Sequence, residues 1–327
     1  MVGVLCNSKN ENALTKDLNT LLGPLIKEKE AQLIVFSLPN VNLPKNTVFG
    51  SIISDGRISL GEAALPLTIF NLSVQHAKSN IKKMRSLMEI EDISVINSVN
   101  HYNQWAIMEM LSSGGKTGNF ILPYFNFNKK DYYSNVSETE NFLLKPENGS
   151  ILPKIIYVKQ SASGLDLFSK YGSQHCHRFD VKSIISPIIQ NKKWILLKAP
   201  DLITNNGWLF VKRIYMQKGA KGNWEILFKT SCPQGKNICR SWESKLDNAS
   251  MQIINYINCF IPDMGICFAD FVLDIKGTPY FLNLGGWENK LLSKKWSENI
   301  RTTLCKNILE YAEAVDNRRK GEADYVD

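Results

Sequence analysis

Histidine is scarce in this sequence: four residues in 327, of which only His175 and His177 lie close together. Zinc sites take four ligands, so an imidazole-based metal centre would need partners that the chain barely offers, and a polar cluster is the simpler reading of His175-Cys176-His177. The seven cysteines are odd in number and follow no disulfide framework. Cys232 and Cys239 are too far apart for a zinc knuckle, and no second pair completes one. Long apolar runs are missing too. Residues 266–273 form one of the longest and are broken by Asp270, so no membrane-spanning helix is predicted. Met1 to Cys6 lacks a basic start and runs into Asn7-Ser8-Lys9, so no cleaved leader is expected and the predicted location is cytoplasmic. No G-x-G-x-x-G joins a strand to a helix, and neither a Walker lysine loop, a nucleophile elbow nor a serine triad is legible.

What is present is ordinary globular composition, 44% hydrophobic and 21% charged, with a formal charge of +8 that favours anionic partners. The lysines are spread along the chain, so nucleic acid is not expected as a partner. The start reads as βαβ, with strands at Val2-Gly3-Val4-Leu5-Cys6 and Leu33-Ile34-Val35-Phe36 and a helix carrying Leu14, Leu18, Leu21 and Leu22. Residues 39–61, punctuated by proline and glycine, read as short strands and turns before a strand at Leu67-Thr68-Ile69-Phe70. A charged helix through Lys78, Lys82, Lys83 and Arg85 leads toward Val95-Ile96, and an apolar helix follows Tyr102. Phe127 to Glu140 is polar and reads as a connection between subdomains. The last third contains two antiparallel hairpins, 209–229 and 267–284, around a helix bearing Met251, Ile254, Ile257 and Ile261. A terminal helix carries Ile300, Leu304, Ile308, Tyr311 and Val315, and the charged residues 317–327 are expected to fray.

Three clusters could carry chemistry. Lys145 leaves a buried strand beside the Gly149-Ser150 turn, where an ammonium and free backbone N–H groups can meet phosphate; it also reads as a solvated lysine at a strand end. Arg213 alternates onto the face of Val211 and Tyr215, where it must find a carboxylate or phosphate, or else form an edge ion pair. Asp270 sits among apolar residues with Asn283 on the partner strand, a sparse magnesium ligand set completed by water and phosphate.

The order and spacing of these clusters resemble the ATP-grasp fold and, within it, the YheC/YheD family of endospore coat-associated proteins. The resemblance rests on Val95-Ile96-Asn97 through Gln104-Trp105, Leu144-Lys145-Pro146-Glu147-Asn148-Gly149-Ser150, Arg213-Ile214-Tyr215-Met216-Gln217-Lys218 with Trp224-Glu225-Ile226, and Asp270 through Leu284. It implies an α+β protein: an N-terminal α/β domain (1–98), an ATP-grasp domain of two α+β lobes (99–316) and a charged tail (317–327). It also implies ATP and magnesium as cofactors. By this resemblance Lys145, Gly149 and Ser150 hold phosphates, Leu197 and Lys198 belong to a hinge strand that contacts adenine, Arg213 faces the transferring phosphoryl group, and Asp270 and Asn283 hold magnesium. The partners it implies are a nucleotide and spore-coat components, with no membrane; the location is cytoplasmic or coat-associated.

Set against that family, the chain departs at its phosphate loop and metal strand. The family's Glu-x-Asn falls on Asn283 and Gly285, the glycine-rich loop has Leu152, Pro153 and Lys154, and an acidic position before the arginine is Val211. These changes predict a nucleotide-binding protein with weak or lost catalysis. The alternative is an active ATP- and magnesium-dependent carboxylate–amine ligase acting through an acyl phosphate.

Overall fold

The computed structural model describes residues 1–75, 77–127, 141–148, 154–169, 172–177, 180–189, 193–232 and 239–323. The first sheet takes its strands from β1 (Val2–Cys6), β2 (Gln32–Ser37), β3 (Val41–Asn42), β4 (Thr47–Ser54), β5 (Arg57–Ala64), β6 (Thr68–Asn71) and β7 (Ser94–Ile96). Their order is β3-β4-β2-β1-β6-β7, with β5 paired to β4. β1 lies between β2 and β6 and runs parallel to both, so successive crossovers leave it on opposite sides. Helix α1 (Glu11–Glu28) buries Leu14, Leu18, Leu22 and Ile26, the stripe that three- and four-residue spacing forms. Helix α2 (Lys78–Met88) packs Met84 and Leu87 against the other face, with Ile34, Phe36 and Ile69. The stretch read as loose punctuation contains a hairpin of two eight-residue strands, β4 and β5, closed by Asp55-Gly56 with both φ angles positive. Asp-Gly is the dipeptide such a two-residue turn selects.

The second sheet is antiparallel, in the order β12-β11-β10-β9-β13-β8. It comprises β8 (Tyr124–Phe127), β9 (Asn141–Pro146), β10 (Ile156–Ser161), β11 (Gly164–Ser169), β12 (Gly172–Cys176) and β13 (Trp194–Lys198). Helix α3 (Gln104–Ser113) precedes it; α4 (Val181–Ile189) covers one face, packing Val181, Ile185 and Ile189 on Leu144, Val158 and Leu196. The opposite face presents Leu143, Tyr157, Ile195 and Leu197 to the largest core of the molecule. Alternation along β9 therefore puts Lys145 on the Leu143 side, toward the remaining sheet.

That last sheet, in the order β17-β16-β18-β19, follows a short ribbon of β14 (Thr204–Asn205) and β15 (Trp208–Leu209). Its strands are β16 (Val211–Lys218), β17 (Trp224–Cys232), β18 (Ile266–Leu273) and β19 (Pro279–Gly285). Helix α5 (Arg240–Asn258) is longer than its apolar pattern implied and buries Leu246, Ala249, Ile253, Ile254 and Ile257; Ile261 falls beyond its end. Helix α6 (Glu298–Ala323) continues through residues expected to fray, and Arg319 donates to the carbonyls of Glu91 and Asp92. Leu304, Ile308, Tyr311 and Ala312 on α6 share a core with α1, Ile266 and Phe268.

One asparagine ties the first sheet to the third. Asn97, just past β7, adopts φ 57°, a left-handed conformation that asparagine tolerates better than most residues. Its Oδ1 accepts from the backbone N–H groups of Gly265 (2.7 Å) and Ile266 (2.8 Å), and its Nδ2 donates to Ile266 O (2.7 Å). The start of β18, which carries Asp270, is thus set by the end of β7.

Candidate functional site

Lys145, Arg213, Asp270 and Asn283 come from four strands and meet. Arg213 and Asp270 are cross-strand partners on β16 and β18, and Asp270 and Asn283 are partners on β18 and β19. Arg213 donates from Nε to Asp270 Oδ1 (2.6 Å) and from Nη2 to Asp270 Oδ2 (2.9 Å), the forked geometry in which a guanidinium matches a carboxylate. Its third nitrogen, Nη1, donates to Glu288 Oε1 at 2.7 Å. Below, the guanidinium lies 3.8 Å from the centroid of the Phe268 ring. Burial favours loss of the proton from Arg213, but the Asp270 and Glu288 carboxylates outweigh it and hold the guanidinium above its ordinary range. The expectation that an arginine on this buried face must find an anion is met by two carboxylates.

Lys145 is fully buried, and its ammonium donates to the carbonyl of Leu282. That carbonyl is available because β19 bulges there: Asp270 pairs with Asn283 and Phe271 with Phe281, leaving Leu282 as the extra residue. Burial lowers the Lys145 pKa to about 7, and Asp270 opposes the shift. This lysine is no solvated strand end; its charge depends on what shares the interior with it.

Asp270 also accepts from Asn283 Nδ2 at 3.2 Å, which leaves Asn283 Oδ1 buried and without a hydrogen-bond partner among the described residues. An orphaned carbonyl oxygen beside a carboxylate is a donor set that suits one hard cation such as magnesium. Among the described residues no group of three or more His, Cys, Asp or Glu side chains gathers, so a second ion would have to rely on phosphate and water.

Gly285, read from the sequence as a deleted ligand, has a packing role. A Cβ there would stand 2.3 Å from Phe268 Cζ, inside the ring that underlies Arg213. A rebuilt side chain at this position therefore collides before it can reach a metal. Glu288, three residues on, is the acid that sequence reading missed. It bonds Arg213 and accepts from the Tyr215 hydroxyl at 3.0 Å. A residue in a Gly-Gly-Trp-Glu loop shows no periodicity, and its only signal is an acid soon after the final strand.

The other expected positions take no part in these bonds or lie outside the described residues. Gly149 and Ser150, with Leu152 and Pro153, lie outside them. Leu197 is a core side chain, and Lys198 is exposed with its Nζ 5.5 Å from the Phe125 ring centroid. The backbone N–H of Lys198 donates to Pro123 O (2.8 Å), and that of Ala199 to Asn141 O (3.0 Å), so an adenine base at this hinge would use other backbone groups or displace these. His175 joins Asp166 (2.8 Å) and Ser163 (3.3 Å) in an exposed polar trio.

Residues 92–231 match the family model for YheC/D like ATP-grasp. Over nearly the whole chain the architecture is similar to that of ATP-grasp ligases. The D-alanine-D-alanine ligase from Coxiella burnetii aligns with a TM-score of 0.54 and 9% identity, covering 99% of this chain and 97% of its own. The D-cycloserine synthetase DcsG gives 0.53 and 10% over 97% and 99%. The VanG D-Ala:D-Ser ligase from Enterococcus faecalis gives 0.52 and 10% over 95% and 98%. At such identities the likeness is one of fold, and it establishes the expected α+β ATP-grasp architecture. No curated protein matches the chain by sequence.

Proposed function

From a chain with an ATP-grasp fold, whose residues 92–231 match the YheC/D like family, we propose a nucleotide-binding protein with weak or lost catalysis. The observation that carries this reading is the closure of the charged centre on itself. The arginine meant for a phosphoryl group is held by Asp270 and Glu288, and the lysine meant for phosphates is spent on the Leu282 carbonyl. An incoming triphosphate must compete with a forked, buried ion pair, and breaking such a pair costs several kcal/mol. In this reading Lys145 orients phosphates and Arg213 meets the terminal one once Asp270 is released to a cation. Asp270 and Asn283 would hold magnesium, which when bound would neutralise phosphate charge. Association with the endospore coat belongs to the same reading and rests on the family resemblance alone.

Glu288 favours a second reading, an ATP-dependent carboxylate–amine ligase. It returns an acid to a centre whose last strand has only an amide, and it comes from the adjoining loop. Calorimetric titration of the full chain with ATP, with and without magnesium, separates the two when combined with a phosphate-release assay. The proposed function expects saturable binding weaker than about 1 μM and little or no turnover. Turnover of about 1 per second or faster with a carboxylate and an amine present would establish the ligase instead. Absence of any ATP binding would remove both.

A further inference from the structure

Beside the charged centre lies a cavity of about 320 Å³ that none of the expected site residues lines. It opens past the carboxyl ends of β6 and β7, where the chain has switched from building the β2 side of β1 to building the β6 side. In open α/β sheets ligands bind outside the carboxyl ends of the strands, and the cavity lies at two such ends, beside the switch point and lined by no residue of β1.

The floor of the cavity is polar and pre-set. Asn71 Oδ1 accepts from the backbone N–H (2.9 Å) and hydroxyl (2.6 Å) of Ser73. Asn100 Nδ2 donates to the carbonyls of Asn71 and Ser73, both at 2.8 Å. Its rim is apolar: Ile81, Met88 and Val99 leave 38%, 46% and 45% of their surface exposed around one opening. Arg85 joins the lining, its side chain makes no ion pair or hydrogen bond among the described residues, and no carboxylate among them lines the cavity. An exposed, unpaired arginine in the lining of a pocket without acids favours an anion, and the aliphatic rim favours an apolar body attached to it.

The cavity is also wired to the centre. Asn100 Oδ1 accepts from the backbone N–H of Trp287 at 2.7 Å, and Asn100 O from that of Gly286 at 3.0 Å. Gly286 has no room for a Cβ, which would stand 2.3 Å from Asn100 Oδ1. Trp287 is followed by Glu288, which holds Arg213.

We propose that this cavity is the binding site for the second substrate or ligand of the protein, a small aliphatic carboxylate whose carboxylate is read by Arg85 and whose hydrocarbon body lies on Ile81, Met88 and Val99. The proposal rests on the ATP-grasp reading for the idea that a second ligand exists, but the site is tested without nucleotide. The full chain is titrated calorimetrically with 4-methylpentanoate and, separately, with 4-methylpentanamide. The carboxylate should bind saturably and the amide at least about tenfold more weakly. The exposed-site variant Arg85→Gln should weaken the carboxylate by about tenfold and bring it level with the amide. Met88→Asp should weaken both. Equal affinity for acid and amide, an unchanged affinity in Arg85→Gln, or no binding of the carboxylate at about 10 mM would overturn the proposal. ATP titration of the same preparations reports on the nucleotide reading independently, so one can fail while the other stands.

Discussion

The charged centre and the cavity beside it are built on opposite plans. In the centre every described charge already has a protein partner: Arg213 is shared by Asp270 and Glu288, and Lys145 is capped by Leu282. In the cavity the polar groups of the floor are locked to one another, while the one charged side chain of the lining, Arg85, has no such partner among the described residues. Burial explains the difference. Asp270 and Lys145 expose none of their surface, so their charges must be paired inside the protein or not carried at all. Arg85 is exposed and can wait in water for its counter-ion. The first region stores stability and has to be opened before it can act. The second contributes little stability and is ready as it stands.

The comparison breaks most sharply at Arg213. Replacing it with alanine leaves Asp270 buried without its cation, and stability should fall by about 3–5 kcal/mol, measured as a shift in the urea unfolding midpoint at constant slope. A loss below about 1 kcal/mol would mean the centre is solvated and behaves like a surface pair.

A smaller effect is expected at Lys145, and it is a matter of pH. Its folded pKa is lowered to about 7, whereas the unfolded chain holds that proton to higher pH. Between these values the unfolded state binds more protons, so this residue makes stability rise with pH above about 7, by at most about 1.4 kcal/mol per pH unit. Below the folded pKa the lysine is charged in both states and its contribution to the slope ends. Lys145→Met should flatten the dependence of unfolding free energy on pH between neutrality and mild alkali relative to the parent. Lys218, lowered to about 8 by burial, contributes to both proteins and cancels. Identical slopes would show that the ammonium is not buried.

The smallest effect is the one that defines the other region. Arg85→Gln should change unfolding free energy by less than about 0.5 kcal/mol, in contrast to Arg213. A larger loss would show that Arg85 has a structural partner.

Much of the centre could be read from the chain before any coordinates, because strands obey simple alternation. Arg213 between Val211 and Tyr215, and Asp270 within an apolar run, are each anomalies on a buried face, and a buried charge announces that a partner exists. The elements around them follow from periodicity, and the β4–β5 hairpin has its signal in Asp55-Gly56, a stronger mark than the surrounding prolines. Glu288 and the cavity were not legible for a different reason. Their geometry is made by loops, and Asn71, Asn97 and Asn100 acquire meaning only when hydrogen bonds bring them to Gly265, Ile266 and Trp287. Gly285 is the opposite case: in the sequence its missing side chain reads as a lost ligand, whereas in the fold the Phe268 ring fills the space.

The Asn97 clasp has a consequence for how the protein comes to be folded. Its hydrogen bond to Ile266 O joins residues 169 positions apart. During synthesis the first sheet can assemble from its own strands, yet the end of β7 stays without its backbone partners until most of the chain has emerged. Contacts of such long sequence separation form late, since the loop entropy must be spent before they are made. The β7 edge of the first sheet, Ser94–Ile96 with Asn97, therefore acquires its clasp only after residues 265 and 266 have been made, later than any of the strand pairings within that sheet.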